Sequence, residues 1–215
     1  MDWRQDLEES RKQELYERIR FQAQQNNQES LSNGMLMRVS PLAVAYRNMD
    51  TEQLRILAEE DCKLTHCNPI VLNAVFGGSV QRSPGACKPP LIYKILQEAQ
   101  EKPSPVLSPD GCTIKGDQKS MGYFGVSLQG AFYQLLHADN FSTGLEEVIS
   151  RGGDTDTNGC IAASLLGAYF GADAIPQQWI EDVKKAPPGT GGSTLYGLED
   201  AEELINGLAT IISVF

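Results

Sequence analysis

The chain has 215 residues, is 41% hydrophobic and 21% charged, and carries 28 acidic against 18 basic residues for a formal net charge of -10. This is the composition of a globular protein, which excludes disordered and fibrous classes, and an acidic chain repels nucleic-acid phosphates on average. No apolar run approaches the roughly 20 residues that span a bilayer, the charged start Met1-Asp2-Trp3-Arg4 is not signal-like, and five cysteines without a CxxC pair suit reduced thiols. The expectation is a cytoplasmic protein that binds neither nucleic acid nor membrane.

In chain order, Trp3, Leu7, Leu15, Ile19 and Ala23 recur at mostly helical spacing, which predicts an amphipathic N-terminal helix ended by the Gln/Asn cluster and Asn33-Gly34. A second helix begins at Asp50, an N-cap candidate, with Leu54, Leu57, Ala58 and Cys62 on its buried stripe. Asn68-Pro69 is a cap followed by proline at the first helical position. Pro89-Pro90 opens a helix with Leu91, Ile92, Ile95, Leu96 and Ala99 on one face. Pro103 to Lys119 reads as a loop. From Phe124 the stripe Phe124, Leu128, Ala131, Phe132, Leu135 and Leu136 predicts another helix, and Thr143-x-x-Glu146 a capping box for a short one. Further helices follow Asp156 and Pro176, the latter with Trp179, Ile180 and Val183. After a Gly-rich loop at 187–197 a last helix bears Leu204, Ile205, Leu208, Ile211 and Ile212. No segment alternates as a strand bounded by hairpin turns. The pattern predicts one all-α domain, with residues 1–29 as an N-terminal amphipathic helix and 30–215 as the helical domain.

The chemically loaded segment is Arg151-Gly152-Gly153-Asp154-Thr155-Asp156-Thr157-Asn158-Gly159. Two glycines permit a sharp bend, and Asp154 and Asp156 fall where the chain enters a helix, at its positive dipole end. Their carboxylates and the Thr157 hydroxyl are hard oxygen ligands suited to Mg²⁺, Mn²⁺ or Ca²⁺. A plain reading makes either aspartate only an N-cap. An EF-hand reading fails because its twelfth position is Leu165 instead of a bidentate glutamate. Beyond the turn, Gly159, Ala163, Gly167 and Gly171 place small residues at four-residue spacing, a face fitted for close helix packing.

Gly152-Gly153-Asp154-Thr155-Asp156-Thr157, with the helix ending Gly167-Ala168-Tyr169-Phe170-Gly171, resembles the C-terminal metal motif of the ADP-ribosylglycohydrolase family. Asn33-Gly34-Met35-Leu36-Met37-Arg38 resembles that family's N-G-x-x-M-R segment, Thr65-His66-x-x-Pro69 its T-H motif, and Ile175-Pro176-x-x-Trp179 its I-P-x-x-W. The resemblance runs from about Ser30 onward. It implies an orthogonal multi-helix bundle and a cleft that binds ADP-ribose with two divalent ions, Mg²⁺ or Mn²⁺. Asp154, Asp156 and Thr157 would be metal ligands, with Asp154 and Asp156 catalytic. Asn33 and Gly34, with Ser30 and Ser32 before them, would face the diphosphate and distal ribose; His66 would lie in the cleft, and Gly122-Tyr123 would wall the adenosine side. Without the resemblance, His66 reads as a satisfied, partly buried histidine and Asn33-Gly34 as a turn.

The family's site also takes ligands from an N-terminal Thr-Asp-Asp motif, and this sequence has no Asp-Asp pair. Two carboxylates and a hydroxyl do not saturate two cations that each want about six oxygens. Three readings follow. One is a hydrolase that releases ADP-ribose from modified side chains or small conjugates, in a shortened or split form whose metal site a second chain completes. Another is an ADP-ribose-binding or interaction module, and a third is a helical protein in which the GDTDT turn only caps. Cys62, His66 and Cys67 lack a fourth ligand for zinc, and Gly189 to Thr194 lacks the lysine of a P-loop.

Overall fold

The computed structural model describes residues 8–75, 91–104, 121–185 and 201–210. Trp3, Leu7, the Pro89-Pro90 start, most of the Pro103–Lys119 loop, the Gly-rich 187–197 loop, Ile211 and Ile212 lie outside these residues. Among the described residues the elements are α1 (Glu9–Asn26), a 3₁₀ turn (Leu36–Arg38), α2 (Ser40–Ala45), α3 (Thr51–Cys62), α4 (Pro69–Val75), α5 (Leu91–Glu98), α6 (Phe124–His137), α7 (Phe141–Ser150), α8 (Thr155–Phe170), a 3₁₀ turn (Ala172–Ala174), α9 (Gln177–Lys185) and α10 (Ala201–Thr210). No strand occurs among them; a single isolated antiparallel bridge pairs Ser32 with Tyr123. The fold is all-α.

Helix starts follow local chemistry. The Asp50 carboxylate accepts from the backbone N–H groups of Glu52 and Gln53 at 3.0 Å each, and Asn68 Oδ1 accepts from Ile70 N–H at 2.9 Å ahead of Pro69. Each thereby satisfies donors that a helix leaves open. The Thr143 capping box is displaced: α7 begins at Phe141, and Asn140 is the cap, accepting from Thr143 N–H at 3.0 Å. Phe141 is 3% exposed, so burying its ring carries the helix back by one more turn than the capping pattern suggests. Helix α2, only six residues with Pro41 in its first turn, is too short to display a period and has no counterpart in the sequence reading.

The core gathers Met35, Val71, Ile92, Ile95, Phe124, Leu128, Ile161 and Ala162, with Leu166 fully buried nearby. Helix α8 lies at its centre, packed chiefly on α6 and α7. Its small residues permit this: a Cβ on Gly159 would stand 3.6 Å from the Ile149 side chain of α7, and one on Gly167 3.9 Å from Phe141. Gly171 ends the helix at φ 85° and ψ 164°, a region essentially reserved for glycine.

Helix α1 is less buried than its apolar positions suggest. Only Ala23 is buried along it, and Ile19 is 48% exposed. Leu15, Ile19 and Ala23 instead line an open groove of about 500 Å³ against Leu64 and Thr65. Polar contacts dock the helix: Arg20 pairs with Glu60 at 2.7 Å, the Tyr16 hydroxyl donates to Glu60, and the Asn27 amide donates to the Thr65 carbonyl.

Candidate functional site

The Gly152-Gly153 turn brings the chain into α8. Both glycines take φ 76°, left-handed values that cost a side-chain-bearing residue about 1–2 kcal/mol. The turn sets Asp154 at the N-cap position of α8 and Asp156 in its first turn, where the helix dipole favours negative charge. The Asp156 carboxylate is exposed and accepts from the Thr157 backbone N–H at 2.9 Å. That backbone bond, followed by a hydrogen-bond contact with the Asp154 carboxylate, holds Asp156 below the ordinary aspartate range. Thr157 follows them, half-buried.

The other half of the site comes from the loop after α1. Its backbone pairs with the start of α6: Asn33 N–H donates to the Gly122 carbonyl, and Phe124 N–H to the Leu31 carbonyl, both at 2.9 Å. This docking points the Asn33 side chain inward, where it is 4% exposed. Its amide nitrogen donates to Asp154 Oδ2 at 2.8 Å and to Ser127 Oγ at 3.0 Å. The Ser127 hydroxyl donates onward to Asn158 Oδ1 at 2.5 Å. Gly122 leaves this centre open, since a Cβ there would stand 4.0 Å from both Asn33 Oδ1 and Asp154 Oδ2. The Tyr123 ring packs edge-on against Phe124 at 4.9 Å and lies over Gly125, where any Cβ would overlap it.

A second polar chain adjoins through Gly34. The His66 ring lies against that glycine, with Cε1 3.4 Å from where a Cβ would be. His66 Nε2 is 2.6 Å from Ser32 Oγ and Nδ1 is 2.8 Å from Thr65 Oγ1. The Ser30 hydroxyl donates to Ser32 at 3.3 Å. Arg38 donates to Thr65 Oγ1 at 3.1 Å and grips both carboxylate oxygens of Asp61. Burial, reinforced by the positive charge of Arg38, pushes the His66 pKa below its ordinary value. Both ring nitrogens are engaged, and the Cys67 thiol turns to the Lys63 carbonyl, so these residues do not assemble a zinc site. Burial pushes the Cys62 thiol up to about 12, which keeps it an inert core residue. Cys62, Cys67 and Cys160 are free thiols.

The structure thus brings Asn33, Gly122, Asp154 and Asp156 to one centre, and Ser30, Ser32, Gly34 and His66 to the adjoining chain. A cavity of about 260 Å³ borders the first, lined in part by Met121, Val126, Ser127, Val148, Arg151 and Asn158. Ser127 and Asn158 are the residues the sequence reading leaves without a role. Ser127 carries a readable signal: it falls three residues after Phe124, on the face of the apolar stripe Phe124, Leu128, Ala131, where a buried hydroxyl needs a partner.

The donor chemistry fits a hard divalent cation held by Asp154 and Asp156, with the Thr157 hydroxyl close by in sequence. It does not extend to a pair of ions within the described residues, where no group of three His, Cys, Asp or Glu side chains converges.

Comparison with known proteins bears on this arrangement. The chain is 27% identical over 179 residues to a protein of Acanthamoeba polyphaga mimivirus that carries a provisional ADP-ribosyl glycohydrolase name, an overlap of 72% of this chain and 54% of that one. It is 34% identical over 62 residues to the ADP-ribosyl-(dinitrogen reductase) glycohydrolase of Rhodospirillum rubrum, covering 29% and 21% of the two. With the ADP-ribosylarginine hydrolase Tri1 of Serratia proteamaculans it shares 22% over 167 residues, 71% and 43% of the two. The chain spans about half the length, or less, of these relatives. A solved ADP-ribosylglycohydrolase-related protein complex shares the fold, with TM-score 0.54 and 22% identity over 87% of this chain and 62% of that one. The sequence profile of the ADP-ribosylglycohydrolase family matches residues 3–211, a span that takes in α1. With that match covering nearly its whole length, the chain belongs to the ADP-ribosylglycohydrolase family.

Proposed function

We propose that the chain is a metal-dependent hydrolase that releases ADP-ribose from modified protein side chains or small conjugates, with Asp154 and Asp156 as its metal-binding carboxylates. The observation that carries this reading is the pair of carboxylates on the entry turn of α8, Asp154 at its N-cap and Asp156 in its first turn, with the Asn33 amide bonded to Asp154 at 2.8 Å. Asp154, Asp156 and Thr157 would hold Mg²⁺ or Mn²⁺, and a bound ion would stabilise charge developing at the distal ribose. Asp154 and Asp156 would be the catalytic residues because they set that ion's position. Ser30, Ser32, Asn33 and Gly34 would face the diphosphate and distal ribose, where hydroxyl and backbone N–H donors suit a diphosphate. His66, kept neutral by burial, would offer a polar ring without adding charge. Gly122 and Tyr123 would shape the adenosine side. The family's second ion would need ligands from elsewhere, a partner chain being the candidate, and the working compartment would be the cytoplasm. Residues 30–215 would form the catalytic domain, with 1–29 its N-terminal helix.

A second reading, an ADP-ribose-binding module without turnover, is favoured by one observation: among the described residues no third His, Cys, Asp or Glu joins the carboxylate pair. Incubation with ADP-ribosylated arginine and serine substrates and Mg²⁺ separates the two. Release of ADP-ribose by the wild type, abolished in Asp154→Ala/Asp156→Ala, supports the hydrolase. Calorimetric binding of free ADP-ribose without release supports the module.

A further inference from the structure

We propose that Ser127 and Asn158 are positioning residues for Asp154, acting through the Asn33 side-chain amide. The proposal rests on the metal reading of Asp154 for its consequence, but on hydrogen-bond geometry for its substance. An asparagine NH₂ has two hydrogens. In Asn33 one goes to Asp154 Oδ2 at 2.8 Å and the other to Ser127 Oγ at 3.0 Å. The Ser127 oxygen accepts that bond, so its own hydrogen is free to donate, and it donates to Asn158 Oδ1 at 2.5 Å. Both Asn33 amide hydrogens and the Ser127 hydroxyl hydrogen therefore each have one acceptor, which sets the order of donation from Asn33 to Ser127 to Asn158.

Burial makes the order costly to change. Ser127 is 2% exposed, Asn33 4% and Asn158 7%, so no member can exchange its partner for bulk water without a penalty. The three anchors sit on different elements: Asn33 on the loop docked to Gly122, Ser127 on α6, and Asn158 on α8. Asn158 also lies one turn beyond Asp154, and its N–H donates to the Asp154 carbonyl at 2.9 Å. The relay thus starts and ends on the same helical turn and closes a loop through α6. Rotation of the Asp154 carboxylate would break the Asn33 bond and leave that amide hydrogen, on a side chain only 4% exposed, without its acceptor. The geometry occupies Oδ2 from the protein side, which selects the rotamer in which the carboxylate is presented to a cation. Outer partners of this kind tune metal affinity by about 10–100-fold when removed.

The test uses the full chain and three variants, Ser127→Ala, Ser127→Thr and Asn158→Ala. One readout is Mn²⁺ affinity by electron paramagnetic resonance, and the other is hydrogen exchange of the Asn33 side-chain amide by ¹⁵N NMR without metal. Expected are about 10–100-fold weaker Mn²⁺ binding in Ser127→Ala, faster exchange of both Asn33 amide hydrogens there and in Asn158→Ala, and near-wild-type values in Ser127→Thr, which keeps the hydroxyl. Thermal melts accompany each variant, so that a global loss of fold is told apart from a local one. Unchanged exchange of the Asp154-bonded Asn33 hydrogen in a folded Ser127→Ala protein overturns the proposal. If the wild type binds no Mn²⁺ while the Asn33 exchange responds as expected, the metal reading fails and the positioning stands.

Discussion

The Asn33 amide donates to Asp154 Oδ2 at 2.8 Å across a separation of 121 residues in sequence. This one bond joins the loop after α1 to the first turn of α8 and makes a single centre of two segments that the sequence shows only as separate motifs. Replacing Asn33 with alanine removes two hydrogen bonds at a site 4% exposed. It leaves both a carboxylate and a hydroxyl short of a donor, and destabilisation by about 1–3 kcal/mol is expected. Urea unfolding at pH 7.5 measures it. Asn33→Asp should be worse, because it sets a second carboxylate against Asp154.

The turn that presents Asp154 gives a graded series. Gly152→Ala meets no neighbour within 4 Å, so its cost is the backbone term alone, about 1–2 kcal/mol. Gly153→Ala adds a contact 3.4 Å from Met121 Cβ and should cost slightly more. Gly171→Ala, at φ 85° and ψ 164°, should cost about 1–3 kcal/mol. Equal effects at Gly152 and at an ordinary helical glycine such as the exposed Gly207, which also has open space around it, would contradict the conformational argument.

The contact of α7 with α8 is tight at Gly144. A Cβ there would stand 2.8 Å from Ala138 Cβ and 3.0 Å from Leu166 Cδ1. Gly144→Ala should therefore destabilise by about 1–3 kcal/mol through overpacking, and Leu166→Ala, at a fully buried position, by about 2–5 kcal/mol through a cavity. Combining the two should give less than the sum, since the new methyl occupies part of the space that leucine vacates.

His66 sets a pH window. Its folded pKa lies below the ordinary 6.5, first through burial and then through Arg38. The unfolded chain therefore takes up a proton before the folded one does. Stability from this group is fully present above about pH 6.5 and declines as pH falls through 6.5 toward the folded value. Glu60, held below 4.5 by Lys63, contributes its own loss only at lower pH. Denaturant midpoints should thus fall between pH 7 and 5.5 in the wild type and stay nearly flat in His66→Gln. A wild-type curve equally flat across that interval would rule out the histidine term.

Much of this was legible in the sequence because it rests on local chemistry. Asp50, Asn68 and the Gly152-Gly153 bend act within a few residues of themselves, and the structure places each at the helix boundary its residue type suggests. The Gly159 and Gly167 face also packs as its spacing implies. What the sequence hid is long-range. Nothing local tells Asn33 that its amide will meet Ser127 and Asp154, or tells Ser32 that its hydroxyl will meet His66. Helix α1 failed in the opposite direction: its apolar period is real, yet how far Ile19 is covered depends on how α1 docks through Glu60 and Thr65. At α7 a capping pattern at Thr143 competed with Asn140 and lost to the burial of Phe141.

The central claim is that Asp154 and Asp156 form a cation site serving ADP-ribosyl hydrolysis. The most direct measurement is release of ADP-ribose from ADP-ribosylated arginine and serine substrates with Mg²⁺ or Mn²⁺, comparing wild type with Asp154→Ala/Asp156→Ala. The account predicts metal-dependent release by the wild type and a loss of at least about 100-fold in the double variant, in line with removal of a metal-centred electrostatic contribution of several kcal/mol. Release that is unchanged in the double variant, or no release by a wild type that binds ADP-ribose, would contradict it.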